Sequence, residues 1–311
     1  MNEILKCWPE LEPWLRFAVD THLYNLSGDE TAAVSDPRIA AVINRLKSAE
    51  KGFPALIEGS LDYRSTGNAF WDLHLLADIG ISVKAAGLEH LAEAFLRTQR
   101  PEGTFLVQKE TKPEYNCLSS IVLSSLAKMG YRDDGRVRRY IDMVLNVQRL
   151  DGGWHCAVSR SKGARLEHTE SCPMANANVL RLLGQYDEFQ YDDRFSGAID
   201  LLLAHWARRG EKWRPYGYGV GSDYIKLKYP DVKYGLLKVL DVLALFPYAV
   251  RQNEFAEMLD AVVTHTADDR YTPESVSRAY GGFDFAQKKE PSAWITFLVS
   301  RIQKRAAEIN I

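Results

Sequence analysis

Strict alternation of apolar and polar residues, the mark of a half-buried strand, is hard to find anywhere in these 311 residues. Its scarcity sets aside β-rich folds. Neither sign of charge dominates: 39 lysines and arginines against 41 acids leave a formal net charge of −2, which argues against nucleic acid as the main partner. No window approaches the apolar run that a membrane span needs. Met1 to Trp8 carries no long apolar stretch, so no secretory signal is read there. Cysteine is sparse, four residues in all, and without such a signal these are expected as reduced thiols in the cytoplasm. Linkers are missing too. No stretch rich in Pro, Gly or Ser and no block of like charge divides the chain, so one domain over 1–311 is expected.

What is present is a repeat. A helix-like stretch ends in glutamine or an equivalent, crosses a short glycine turn and reaches an aromatic residue, most clearly in Gln148-Arg149-Leu150-Asp151-Gly152-Gly153-Trp154. The aromatics Phe53, Phe105, Trp154, Trp213 and Tyr271 recur about every fifty residues, a period typical of helical arrays. Each follows an amphipathic stretch: Asp36 to Lys47, Val83 to Gln99, Asp134 to Gln148, Asp193 to Trp206 and Arg251 to His265. In the third, Val137, Tyr140, Ile141, Val144, Leu145 and Gln148 share one helical face. A second set of helices is read near Pro13 to Tyr24, Thr66 to Gly80, Asn116 to Gly130, Cys172 to Tyr186, Asp231 to Phe246 and Pro291 to Arg305. Asn116 and Asp231 suit N-caps, Pro173 and Pro291 suit first helical positions, and Gly80 and Gly130 suit helix ends. This set is apolar nearly all round, as in Leu236, Leu237, Val239, Leu240, Val242 and Leu243, so it is expected to be buried on several sides. The fold class is therefore all-α, with roughly five to six hairpins of one buried and one half-exposed helix. They close as an inner ring within an outer ring or stack as an open superhelix; the repeat alone does not enforce closure.

Gln148 to Trp154 resembles the glutamine–tryptophan (QW) repeat of the terpenoid cyclase and protein prenyltransferase superfamily, with Gln99 to Phe105 a weaker copy. Gly130-Tyr131-Arg132-Asp133-Asp134 through Asp151-Gly152-Gly153-Trp154-His155-Cys156 is similar to the squalene-cyclase-like repeat proteins of single-domain bacterial type, as is Pro291-Ser292-Ala293-Trp294-Ile295-Thr296. The resemblance implies an α/α toroid around a central chamber, with inner helices beginning after each glycine–aromatic turn. The chain also departs from that pattern. The Asp-x-Asp-Asp motif of proton-initiated cyclases is missing, as is the magnesium-binding acidic motif of ionisation-type synthases. The acid pairs Asp133-Asp134, Asp192-Asp193 and Asp268-Asp269 fall at helix–helix turns, where they read as solvated or capping acids.

Cys117 and Cys172 open helices of the second set in adjacent repeats, and Cys156 lies two residues past Trp154. A helix N-terminus lowers a thiol pKa and favours thiolate, and thiolates are zinc ligands. His168 would complete a set of Cys117, Cys156, Cys172 and His168, with Glu170 and His155 less favoured. The alternative is that these cysteines are small buried side chains. In the prenyltransferases an Asp-x-Cys pair and a histidine hold zinc at the starts of inner helices. Glu170-Ser171-Cys172 has a similar form, but Tyr229-Pro230-Asp231 stands where the histidine would be.

The loop between Cys156 and Cys172 carries Arg160, Lys162 and Arg165. The next equivalent loop carries Arg214, Tyr216 and Tyr218 among three glycines, Gly217, Gly219 and Gly221; guanidinium and ammonium groups here favour a phosphate or carboxylate. A flexible loop with ordinary surface charge is the other reading. Trp71 is a candidate to line a chamber, with Trp206, Trp213 and Trp294, where aromatic faces stabilise cations. Asn176, four residues after Cys172, is placed on the same face below it. Asp72 and His74, two apart, do not share a face. The expected function is a terpenoid-cyclase- or prenyltransferase-like enzyme acting on a hydrophobic, anionic small molecule of isoprenoid type. The apolar interior would take the tail and the basic loops the head, with zinc as cofactor. The competing expectation is a non-catalytic lipid- or protein-binding helical-repeat module.

Overall fold

The computed structural model describes residues 5, 6, 8, 10–107, 117–155, 170–264, 266 and 268–309. Among them there is no strand, and fifteen α-helices supply most of the regular structure, with short 3-10 turns and one π-helical turn, Ala127–Tyr131, between. Six helices form the apolar class: α1 (Pro13–His22), α5 (Ala69–Ile79), α7 (Cys117–Leu126), α9 (Pro173–Leu183), α12 (Leu236–Leu243) and α15 (Ala293–Ile309). Five form the amphipathic class: α3 (Pro37–Lys47), α6 (Glu89–Leu96), α8 (Gly135–Asn146), α11 (Ser196–Ala207) and α14 (Asn253–Val263). Short helices α2 (Glu30–Ser35), α4 (Phe53–Ile57), α10 (Asp187–Gln190) and α13 (Pro247–Val250) fill connections.

The two classes separate by burial. Every residue of α5, α7, α9 and α12 is buried, whereas α8 buries only Val137, Tyr140, Ile141 and Val144. The apolar helices pack in chain order: α5 on α7, α7 on α9, α9 on α12 and α12 on α15. α15 also meets α1, and α1 meets α5.

Two local devices repeat. Asp36, Asp134 and Asp192 each accept the backbone N–H of the residue two further on, Arg38, Arg136 and Arg194. The same arginine returns its guanidinium to that carboxylate at 2.7, 2.6 and 2.6 Å. An aspartate so placed satisfies free N–H groups and sits favourably at the positive end of the helix. The acids of the first two pairs named above are accordingly cap and turn residues: Asp134 and Asp192 cap, while Asp133 is exposed and pairs with Arg138 at 3.5 Å.

The second device explains the glutamines. Gln99 Nε2 donates to the Gly103 carbonyl at 3.0 Å and the Arg136 carbonyl at 2.7 Å. Gln148 Nε2 donates to the Gly152 carbonyl at 2.7 Å and the Arg194 carbonyl at 2.8 Å. Each glutamine thus ties its own glycine turn to the start of the next amphipathic helix. Gly103 and Gly152 have φ of 95° and 81°, a region that side chains disfavour. Beyond the turn, Trp154 is buried and its Nε1 donates to the Val144 carbonyl at 2.9 Å.

Several boundaries differ from expectation. α12 starts at Leu236, so Asp231 is not its N-cap; the preceding residues turn back, and the Leu236 N–H reaches the Tyr224 carbonyl at 2.8 Å. α15 starts at Ala293 rather than Pro291, and Ser292 Oγ accepts the Ile295 N–H at 3.1 Å. α6 is shorter than Val83 to Gln99 because Gly87, at φ 60°, ends a separate turn before it. Asn116 lies outside the described residues.

Candidate small-molecule site

The apolar helices carry isolated charged residues, and these converge. Asp78 on α5 accepts from Arg181 of α9 at 2.8 Å, from Lys128 just past α7 at 3.1 Å, and from the Tyr229 hydroxyl at 3.0 Å. Arg301 of α15 lies 3.6 Å from the same carboxylate and donates to Asp241 of α12 at 2.9 Å. Arg305 reaches Asp241 at 2.9 Å as well. His74 accepts from Arg181 at 3.2 Å, and its ring stacks on Tyr229 with centroids 5.8 Å apart. Buried charge is tolerated only when paired in this way.

Electrostatics divides the acids. Burial opposes ionisation of Asp78, but the charges of Arg181, Lys128 and Arg301 together hold its carboxyl well below the usual range. Burial likewise opposes ionisation of Asp241, and Arg301 and Arg305 outweigh it. Asp231 is different. Both of its carboxylate oxygens are buried without a hydrogen bond, and the closest cation, Lys228 Nζ, stands 3.7 Å away. Burial pushes its pKa up to about 7 against the opposing charges of Lys228 and Lys238. Asp231 lies against Gly235, where an added Cβ would stand 1.9 Å from Oδ2; only glycine leaves room for the carboxylate. Burial pushes Lys238 down to about 8 and Lys128 down to about 7. The neutral His74 ring has its pKa well below the ordinary value through burial and the Arg181 charge.

These groups surround a void of about 20 Å³ lined by His74, Asp78, Arg181, Lys228, Tyr229, Asp231, Leu237, Lys238, Asp241, Leu298 and Arg301. A volume of that size holds a water molecule. Lys228 and Tyr229 also line a second void of about 220 Å³, with Lys233, Ser277 and Arg278. Asp223 and Lys233 are shared in turn with a third, of about 320 Å³, walled by Tyr63, Tyr218, Tyr224, Tyr234 and Met174. The sequence reading expects an apolar interior for a hydrophobic tail. The void is instead lined by charge, because His74 and Asp78 of α5, Arg181 of α9, Lys238 and Asp241 of α12 and Arg301 of α15 meet there, and the aromatic surface lies in the third void, the vestibule.

The expected site residues distribute as follows. Tyr218 lines the vestibule, its ring 5.7 Å from Tyr234. Arg214 and Tyr216 belong to the same loop but lie outside that lining; Arg214 is exposed and Tyr216 meets His155 Nδ1 at 2.6 Å. Trp71 stands beside the central cluster, 5.6 Å from His74 and 5.3 Å from Lys238 Nζ, with its Nε1 on the Tyr63 carbonyl at 2.6 Å. Asn176 is a framework residue. Its Oδ1 accepts the Trp154 N–H at 3.0 Å, the position that Thr296 Oγ1 takes for Tyr271 at 3.1 Å. Trp206 and Trp294 are likewise engaged elsewhere: Trp206 donates to Glu257 on α14, and Trp294 packs among Trp14, Tyr229, Phe285 and Phe297.

Arg160, Lys162, Arg165, Cys156 and His168 lie outside the described residues. Cys117 begins α7 and Cys172 is the N-cap of α9, and both are buried. Among the described residues no group of three or more His, Cys, Asp or Glu is arranged to hold a metal; two members of the expected zinc set, Cys156 and His168, fall outside those residues. The residues missed in the sequence are Asp78, Arg181, Asp231, Lys238, Asp241 and Arg301. For those on helices the signal was charge inside an otherwise apolar segment, as Lys238 and Asp241 are within Leu236–Leu243, since such a charge demands a partner. Neither the family models nor the curated proteins contain a match to this chain.

Proposed function

We propose that the apolar helices close into the inner ring of an α/α toroid, and that this ring binds an amphiphilic anion on which the chain performs acid–base chemistry. Closure is supported by the packing of α15 on α1 and of α1 on α5, which joins the ends of the series α5, α7, α9, α12 and α15. In this reading the aromatic vestibule of Tyr63, Tyr218, Tyr224 and Tyr234 takes the apolar part of the ligand. Lys228, Lys233 and Arg278 of the adjoining void take its anionic group, a phosphate or carboxylate. An isoprenyl diphosphate or carboxylate has this chemistry, in keeping with the resemblance to the terpenoid cyclases and prenyltransferases.

The observation that carries the proposal is Asp231. A carboxyl with both oxygens buried, no hydrogen bond, and a pKa pushed up to about 7 is costly for the fold and suited to carrying a proton near neutrality. Farnesyl diphosphate and farnesoate are the test ligands, with binding followed by calorimetry and products by mass spectrometry. Saturable binding is expected, weakened about tenfold by Lys233→Ala. Asp231→Asn is expected to keep the affinity and abolish turnover. Absence of saturable binding to both ligands would remove the proposal, and binding without turnover would favour the non-catalytic module.

A further inference from the structure

Among the cations of the central cluster, Lys238 stands apart. Lys128 and Arg181 pair with Asp78 at 3.1 and 2.8 Å, Arg301 and Arg305 with Asp241 at 2.9 and 2.9 Å, and Lys228 with Asp223 at 3.1 Å. Lys238 Nζ has instead the Met174 sulfur at 3.6 Å and the Trp71 ring, 5.3 Å to its centroid. A thioether is a weak acceptor and offers an ammonium little. A buried lysine in such surroundings favours the neutral amine, which is the nucleophilic form. Its position is equally distinctive. Lys238 lines the central void together with Asp231, while Met174, which its Nζ touches, lines the vestibule. The amine therefore shares one void with the Asp231 carboxyl, whose nearest cation is Lys228 at 3.7 Å, and touches a residue that lines the proposed binding chamber.

We propose that Lys238 condenses with an aldehyde or ketone group of the bound anion to form a protonated imine. This rests on the reading of the central site as a small-molecule site and names the class of its substrate: an anionic, carbonyl-bearing amphiphile. The neutral amine attacks the carbonyl carbon, and the C–O π pair moves to oxygen. One of the two amine protons passes to that oxygen, giving a carbinolamine. Asp231 then protonates the hydroxyl, the C–O bond breaks, and water leaves as the nitrogen lone pair forms the C=N bond. The products are an iminium that keeps the second amine proton, one water, and the Asp231 carboxylate. The new cation is held between that carboxylate and the face of Trp71. The carbonyl carbon arrives from the vestibule by displacing the Met174 side chain, which is unbranched and adaptable. The void of about 20 Å³ has room for the water released. Burial also lowers the pKa of Lys238, in the direction this step requires.

The experiment treats the full chain with glyoxylate, a small anionic aldehyde, and sodium cyanoborohydride, and maps carboxymethyl-lysine by peptide mass spectrometry. At limiting glyoxylate the adduct is expected on Lys238 ahead of the exposed Lys84, Lys212 and Lys288. Asp231→Asn is expected to slow that adduct about tenfold without moving it. Labelling spread over exposed lysines with Lys238 unmodified overturns the proposal. A second measurement on the wild-type chain avoids any folding defect of a variant: the rate of Lys238 trinitrophenylation is expected to inflect near pH 8. An inflection at the ordinary lysine value overturns the proposal as well. Farnesyl diphosphate binding is measured on the same preparation. Binding retained without Lys238 labelling sinks the imine step alone, whereas loss of both sinks the site.

Discussion

Arg181 and Asp78, separated by 103 residues, meet at 2.8 Å in the centre of the chain. The carboxylate of Asp78 is shared with Lys128 at 3.1 Å and lies 3.6 Å from Arg301, so the two partners are not equivalent. Removing Asp78 leaves three cations facing one another, whereas removing Arg181 leaves Asp78 with two. Asp78→Asn is expected to destabilise the chain by about 3–5 kcal/mol, and Arg181→Met by clearly less. Urea unfolding of both variants checks the order, and the reverse order would mean that Asp78 does not organise the cluster.

The pH dependence of stability has two opposed parts. Asp78, held far below its unfolded value, contributes stability that is present above the unfolded pKa and is lost as pH falls through the folded one. Asp231, raised to about 7, contributes stability that is full below the unfolded value and is lost as pH rises through about 7. Asp231→Asn should therefore be more stable than wild type at pH 8 by roughly 2–4 kcal/mol, with the advantage vanishing in acid. Melting profiles across this range provide the measurement, and a constant difference at all pH values would contradict the assignment.

Gln148 makes two hydrogen bonds that link one repeat to the next, to the Gly152 and Arg194 carbonyls. Gln148→Ala is expected to cost about 1–3 kcal/mol, and Gln148→Glu at least as much, because a carboxylate cannot donate to either carbonyl. Chemical denaturation of the two variants distinguishes this from a surface role, in which neither change would register.

Asn176 was expected at the ligand, yet its oxygen accepts the Trp154 N–H and its amide reaches the Ala198 carbonyl at 3.3 Å. Asn176→Ala should lower stability by about 1–3 kcal/mol and leave farnesyl diphosphate affinity unchanged when measured on the folded fraction. A selective loss of affinity would return Asn176 to the binding surface.

Much of the helical layout was legible because its causes are local. Asp134 caps α8 with its own arginine two residues on, Pro173 begins α9, and Gly80 ends α5 at φ 98°. The exceptions, Asp231 and Pro291, have suitable residue types at positions where the chain is still turning. Their backbone is directed by distant partners: the Tyr224 carbonyl fixes the start of α12, and Tyr271 receives the Ser292 N–H at 2.9 Å.

The candidate site was mostly illegible. Tyr218 and Trp71, singled out for aromatic content in a loop and in a buried helix, lie at the vestibule lining and beside the ionic cluster, but the cluster itself was not foreseen. A charged residue within an apolar helix announces that it needs a partner without naming one, because residues on different helices pair by tertiary packing.

Residue order along the chain was enough to specify two kinds of helix, their turns and the glutamine that links them, since these follow from hydrogen bonds and side-chain spacing within a few residues. Tertiary packing alone decided that Asp78, Arg181, Asp241 and Arg301 converge, that Asp231 is left without a hydrogen bond, and that Lys238 faces a sulfur. Those outcomes depend on how buried helices approach one another, where desolvation makes each pairing, or its absence, consequential.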